Sequence, residues 1–291
     1  MVKNIRYILE CYMVKSFFFL GRILPLSIMS YYYAHIFLAI GSKFKANKVA
    51  KRNLKMIYPK KSQAEINEIT DTVWKNLGHN FAEYPFLTSS TKEQFLSHVK
   101  ITGVENLTAY TDKGRAVLMF SAHYSNWEVI SCFLTHYEIK TNMIYRKMNN
   151  SYLDDLIIGM RRSKYFALHP KGRRNAVKIV QDLQHGVSFA SFVDQKLNEG
   201  IKVPFLGKDA MSPPLLAQLA NKYDYPLIPM YVKRLAHLEY ELVIEPALVY
   251  KKLPDREKQV YEIMRNINKR LASWINKAPG QWFWVHNRWP K

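Results

Sequence analysis

The 291-residue sequence has only two cysteines, Cys11 and Cys132. One borders an apolar segment and the other falls in a predicted helix, so a disulfide framework is excluded as the basis of the fold. No CxxC or HExxH pattern is present, and the nine histidines are not spaced as metal ligands. No metal and no cofactor is therefore expected. The chain has no G-x-S-x-G elbow, which argues against a serine esterase. It has no known nucleic-acid motif, no internal repeat, and no linker dividing residues 46–291. Acidic residues are scarce: 23 against 43 basic ones, for a net charge of +20. An excess spread along the whole chain either serves solubility alone or suits an anionic partner such as a membrane surface or an acidic protein. Hydrophobic residues make up 48% of the chain, enough to bury a sizeable core.

Residues 23–41 contain no charged side chain. That run is at the lower limit for spanning a bilayer. Tyr31, Tyr32 and Tyr33 sit in its middle, although tyrosine prefers the interface, and Arg22 and Pro25 weaken a straight helix. Three readings of residues 16–41 stay open: a single-pass anchor, an interfacial hairpin or amphipathic helix, and a helix packed on the protein's own core. The following flank carries Lys43, Lys45, Lys48, Lys51, Arg52 and Lys55. By the positive-inside rule it faces the cytoplasm, and the same cluster suits anionic headgroups. Residues 1–45 are accordingly expected to be a membrane-anchor or interfacial segment, and 46–291 one further domain.

Ser62 and Glu65 form a capping-box pattern that opens a helix to about residue 82. Residues 115–122 read as a buried strand, followed by a helix over 126–136. Strands are predicted at 142–146, 186–193, 226–232 and 240–244. Helices are predicted at 153–162, 175–184, 215–222 and 254–277, the last from Val260, Met264, Ile267, Leu271 and Trp274 at alternating spacings of four and three. This alternation implies an α/β fold with a mainly parallel central sheet flanked by helices.

His123 falls in the turn between the 115–122 strand and the helix after it, where ligands of open α/β sheets bind. Glu128 follows five residues later. Within one regular helix that spacing splays two side chains apart. From a turn, the imidazole can swing over the first helical turn and meet the carboxylate, which fixes one ring nitrogen and leaves the other as a base. The plain alternative is that Ser125 and Glu128 form a capping box and His123 is a satisfied buried histidine.

The run His123-Tyr124-Ser125-Asn126-Trp127-Glu128 resembles the H-x-x-N-W-E form of the HxxxxD/E pattern. That form marks the late acyltransferases of lipid A biosynthesis, the lauroyl and myristoyl transferases, within the glycerolipid acyltransferase superfamily. Further blocks match in order. Tyr145-Arg146 with Asn149-Asn150 is similar to Y-R-x-x-x-N, and Arg162 falls in the Arg-Ser stretch that follows. Asp194-Gln195 resembles the D-Q or D-H block, and Val203-Pro204-Phe205-Leu206-Gly207 with Ala210 resembles V-P-F-F-G-x-x-A. Residues 279–288 resemble P-x-Q-W-x-W-x-H-x-R. The chain departs from the family at Lys196 and the turn after it, and at Leu206 in place of phenylalanine.

The resemblance implies a glycerolipid-acyltransferase-like catalytic domain behind an N-terminal hydrophobic membrane-anchor helix. It implies transfer of a fatty acyl group from an acyl carrier protein thioester to a hydroxyl of a phosphorylated glycolipid, the lipid A precursor, at the inner membrane with the domain facing the cytoplasm. His123 is the implied base and Glu128 its support. Arg146, Arg162, Asp194 and Asn126 are the implied substrate-binding residues, the arginines as phosphate ligands. Asp194 could instead orient an arginine or cap a turn. Lys171, Gly172, Arg173 and Arg174 form a candidate docking patch, and Trp282, Phe283, Trp284 and Trp289 either cover an acyl channel, meet the membrane or pack the core. Competing readings are an acyltransferase for another glycolipid such as a phosphatidylinositol mannoside, a non-enzymatic basic membrane-binding protein, and a hydrolase releasing fatty acid.

Overall fold

The computed structural model describes residues 2–289. Its chain begins with α1 (Val2–Ile23), α2 (Leu26–Gly41), α3 (Lys45–Ile57) and α4 (Gln63–Ser89). Then come α5 (Lys92–Leu96), β1 (Val99–Thr102), α6 (Glu105–Thr111), β2 (Leu118–Ser121), α7 (Glu128–His136) and β3 (Thr141–Tyr145). Next are α8 (Ser151–Met160), β4 (Phe166–Pro170), α9 (Arg173–Gln184) and β5 (Ser188–Phe192). The last part holds β6 (Ile201–Phe205), β7 (Lys208–Ser212), α10 (Leu215–Tyr223), β8 (Leu227–Ala236), β9 (Glu239–Ile244), α11 (Arg256–Lys277) and a 3-10 turn (Pro279–Gln281).

Seven strands form one sheet in the order β1-β9-β8-β2-β5-β3-β4. Strands β8, β2, β5, β3 and β4 run parallel; β9 is antiparallel to β8, and β1 is parallel to β9. The mixed α/β domain with a mainly parallel sheet is thus as the sequence predicts. Strand β2 lies at the centre and is apolar on both faces, as a covered parallel strand must be. Leu118 and Phe120 pack into one core layer with Ile263, Ile267 and Trp274 of α11. Val117 and Met119 pack into the other with Val129 and Phe133 of α7.

The capping box at the start of α4 is formed: the Glu65 amide donates to Ser62 Oγ at 3.2 Å, and the Ser62 amide to Glu65 Oε2 at 2.8 Å. The helix runs past the predicted end, through Pro85, to Ser89. Strand β4 and the hairpin of β6 and β7 were not predicted. In β4 a histidine and a proline interrupt the apolar pattern. The hairpin is the V-P-F-L-G block, whose two-residue turn puts Leu206 and Gly207 at φ of 50° and 78°. Positive φ at both central residues is what such a turn needs, and glycine supplies one of them without strain.

No helix among the described residues is long and apolar enough to cross a membrane. The expected membrane-anchor helix is therefore not supported, and Pro25 is the reason. Proline offers no amide to a helix interior and disfavours helical geometry in the residue before it. The apolar run is thereby split between α1 and α2, and the 16 residues of α2 reach only about 24 Å against a core of about 30 Å. Helix α2 lies against α4 at a small-residue contact. A Cβ added to Gly78 would stand 2.3 Å from the Tyr33 carbonyl oxygen. The opposite face is apolar and open: Leu9, Tyr12, Phe19 and Ile23 of α1 and Tyr31 and Tyr32 of α2 are each more than half exposed.

Candidate active site

Strands β2 and β5 are parallel neighbours, with Leu118 opposite Phe189 and Ser121 opposite Phe192. The same register carried two residues beyond each strand brings Asp194 opposite His123. The Val193 amide continues the ladder by donating to the Ser121 carbonyl at 3.1 Å. His123 Nδ1 donates to Asp194 Oδ1 at 2.9 Å, and the His123 backbone amide donates to Oδ2 at 2.9 Å. Trp282 Nε1 donates to the same Oδ2 at 2.8 Å. Asp194 is fully buried. Burial alone pushes its carboxyl up, but the His123 charge and these donors outweigh it and hold the group well below the usual carboxylate range. The outcome is a buried carboxylate that fixes the imidazole tautomer and leaves Nε2 as the free nitrogen.

The Gln195 amide stands 3.5 Å from that Nε2. The ring centroids of Phe192, Trp127 and Phe283 lie 4.8, 5.1 and 6.0 Å from that of the imidazole. His123 keeps 18% of its side chain exposed. The ring is therefore reachable, through an opening walled by aromatic rings. On the far side of Phe192, that residue with Met119, Ile130, Met143, Ala190 and Met230 encloses a small apolar void of about 10 Å³.

Glu128 does not meet His123. Its carboxylate is gripped by Arg161, with Nε donating to Oε2 at 3.0 Å and Nη2 to Oε1. The expected His123–Glu128 pairing is thus corrected. Helix α7 begins at Glu128, and the turn before it contains Ser125 at φ 54°, which reverses the backbone between the two side chains. The capping-box alternative fails as well, because the Glu128 amide donates to Asn126 Oδ1 at 3.3 Å and the buried Ser125 hydroxyl makes no hydrogen bond among the described residues. Arg161 is the residue that the sequence reading missed. It follows α8 immediately, in a run of two arginines that gives no hint which one turns inward.

The bacterial lipid A biosynthesis acyltransferase family model matches residues 2–291, essentially the whole chain. The chain belongs to this family. It is similar to lipid A biosynthesis acyltransferase 2 of Shigella flexneri, at 22% identity over 252 residues, covering 83% of this chain and 76% of that protein. As a member of the lipid A acyltransferases it is an acyl-transferring enzyme with a role in lipid A biosynthesis.

The remaining motif residues of this acyltransferase divide between surface and scaffold. Arg146 follows β3 and is exposed on the same sheet edge as Asp194. Arg162 is exposed and lines a cavity of about 160 Å³ with Ser131, Cys132 and Arg161, on the α7–α8 side. Asn126 is fully buried and donates to Glu83 Oε2 at 2.9 Å, so it holds the turn and is not placed to touch substrate. Asn150 caps α8 and donates to Glu10 Oε2 and the Tyr7 carbonyl of α1, both at 2.9 Å.

The C-terminal block supports the histidine turn from below. The Ser125 amide donates to the Gln281 carbonyl at 2.7 Å, and the Phe283 amide to the His123 carbonyl at 3.0 Å. Trp282, Trp284 and Trp289 are buried core residues, whereas Phe283 reaches the histidine. Arg288 is fully buried and donates to the Met211 carbonyl at 2.7 Å and to Ser212 Oγ at 2.6 Å, tying β7 to this block.

Histidines also set how the fold responds to acid. Burial, with Arg234 nearby, depresses His79 to about 4 from an ordinary 6.5. The unfolded chain then binds more protons than the folded one between those two values, so stability is full above about 6.5 and falls as pH drops toward 4. At about 1.4 kcal/mol per pH unit the loss is ~3 kcal/mol. His136, His169 and His286, also depressed chiefly by burial, act in the same direction. Chemical denaturation at a series of pH values is expected to show this decline, and His79→Asn to flatten it. A midpoint unchanged between pH 7 and 4.5 would contradict the assignment.

Proposed function

We propose that this protein carries out secondary acylation of a lipid A precursor, moving a fatty acyl group from an acyl carrier protein thioester to a hydroxyl of the phosphorylated glycolipid. The observation that carries the reading is His123, with Nδ1 held by buried Asp194 and Nε2 facing an aromatic-walled opening, 3.5 Å from the Gln195 amide. The acceptor hydroxyl gives its proton to Nε2 as its oxygen attacks the thioester carbonyl. The tetrahedral intermediate collapses with cleavage of the C–S bond, and the thiolate takes the proton back from the imidazolium. Asp194 stabilises the charged ring throughout.

Arg146, exposed on the catalytic sheet edge, suits a phosphate oxygen of either substrate. Helix α9 starts at that edge too, since the Lys171 amide donates to the Tyr145 carbonyl at 3.0 Å. Lys171, Arg174 and Lys178 give it an exposed basic face for an acidic carrier protein.

The open apolar face of α1 and α2 supports an interfacial role for residues 1–45, seated in one leaflet of the inner membrane. Exposed Lys43, Lys45, Lys48 and Lys55 beside it suit anionic headgroups, with residues 46–291 on the cytoplasmic side.

Mass spectrometry of lipid A from cells with and without the gene tests the reaction. The expected difference is one acyl chain, whose mass names its length. Identical spectra would sink the proposal.

A further inference from the structure

The His123 turn is held from outside the reaction site by a buried polar network that no motif announces. Ser125, at the strained positive φ of 54°, has its carbonyl oxygen fixed by two side-chain amides of α4: Asn80 Nδ2 at 2.7 Å and Asn76 Nδ2 at 3.3 Å. An amide can rotate and present oxygen instead of nitrogen, so something must choose its orientation. Arg234 of β8 does so. Its Nε donates to Asn76 Oδ1 at 3.1 Å and its Nη2 to Asn80 Oδ1 at 3.0 Å. With both amide oxygens occupied by the guanidinium, both NH2 groups face Ser125.

The same guanidinium holds Glu83 of α4, with Nη1 to Oε1 at 2.8 Å and Nη2 to Oε2 at 3.2 Å. Glu83 is 1% exposed and also accepts from Asn126 Nδ2 at 2.9 Å, from Ser30 Oγ of α2 at 2.8 Å and from the Tyr240 hydroxyl. The Arg234 amide and carbonyl grip the Gln281 side chain, each at 3.1 Å, and the Gln281 carbonyl accepts from the Ser125 amide. Residues 125 and 126 are thus held by Asn76, Asn80 and Glu83, and the Arg234 guanidinium engages all three.

We propose that Arg234 is a positioning residue for acyl transfer: by orienting Asn76, Asn80 and Glu83 together it sets the backbone of the turn, and so the aim of the His123 ring toward Asp194 and the substrate. The proposal rests on the acyl-transfer reading of His123 for its kinetic consequence, although not for its geometric one. A lysine at this position keeps a charge for Glu83, but its three donors sit on one atom and cannot reproduce the four bonds that the planar guanidinium makes to Asn76, Asn80 and both Glu83 oxygens. Loss of sub-ångström aim at a catalytic group typically costs on the order of 10–100-fold in rate.

The test is Arg234→Lys in the full-length protein, read in two ways. In the downfield proton NMR spectrum the His123 Nδ1–H resonance, identified by its loss in His123→Gln, is expected to shift or broaden. In the acyl-transfer assay kcat is expected to fall on the order of tenfold or more, with the KM for the donor nearly unchanged. A purely structural role would lower the melting temperature and leave both readouts at wild-type values for the folded fraction. Should the lysine variant not fold, Asn80→Ser keeps the ion pair with Glu83, removes the shortest bond to Ser125, and carries the same two expectations. An unmoved resonance in a folded variant overturns the proposal whatever the assay shows, and so does a wild-type kcat. A moved resonance in a protein whose wild type transfers no acyl group would sink the acyl-transfer reading and leave the geometric role of Arg234 standing.

Discussion

Alanine at His123 is expected to lower kcat by about 10²–10⁴-fold, the usual contribution of a positioned general base. Binding of the donor should change little. On the proposed reading the donor is held mainly by surface other than the His123 ring, so KM is expected to stay within a few-fold. Fold stability should fall only in part: fully buried Asp194 loses its imidazole partner, but the ring is partly exposed and the bonds that secure the turn come from the backbone atoms of residues 123 and 125. Removal of the imidazole leaves Asp194 with its donors from the His123 amide and Trp282. A steady-state assay with an acyl carrier protein thioester and a lipid A precursor, alongside a thermal melt, measures all three. A variant that melts normally and turns over at the wild-type rate would remove His123 from the chemistry.

The second large effect is expected at Asp194→Asn. The substitution is nearly isosteric, and the site is fully buried, so the change acts on charge and on tautomer rather than on packing. An amide has no charge with which to stabilise the imidazolium. Its NH2 group also competes with Nδ1–H as a donor, which favours the tautomer that carries its proton on Nε2. A base with its working nitrogen already protonated cannot accept the hydroxyl proton. The corresponding change in a serine protease triad costs about 10⁴ in kcat, and a loss of at least about 10² is expected here. The Asp194 carboxyl lies well below the ordinary range, so it stays ionised through any pH at which the fold survives. The pH dependence of kcat should therefore show no limb from Asp194.

Glu128→Gln is expected to behave differently. Its partner Arg161 is mostly buried, and breaking such a pair leaves a poorly solvated charge, which typically costs about 3–5 kcal/mol. With 21% of the Arg161 side chain exposed, the lower end is expected. A drop in melting temperature is therefore the main outcome.

How far the sequence could be read differs between sheet and site. The central strands were legible because β2 and β5 are short apolar runs ending in turn residues, and α11 because its apolar residues keep helical spacing over 22 residues. Strand β4 carries His169 and Pro170 and has no such pattern. His123 was legible from its place after a buried strand. Its partner was not, because spacing along the chain suggests neighbours within one turn, whereas the actual neighbour is set by lateral register between strands that lie far apart in sequence. Asp194 was noticed as a strand-end residue, but which carboxylate would face the imidazole depends on strand order, and that is a tertiary fact. The same holds for Glu83 and Arg234, which lie in ordinary helix and strand positions and become connected only when α4 packs across the end of β8. The N-terminal run was misleading in a simpler way: hydropathy alone does not see that Pro25 divides it.

The account turns on which carboxylate serves His123, and the rate of a single acyl transfer with enzyme in excess over donor tests this most directly. Measured at equal folded concentration, Asp194→Asn is expected to fall at least about 10²-fold below wild type, and Glu128→Gln to remain at least tenfold faster than Asp194→Asn. The reverse order, with the glutamine variant silent and the asparagine variant near wild type, would contradict the His123–Asp194 pairing as the source of catalysis.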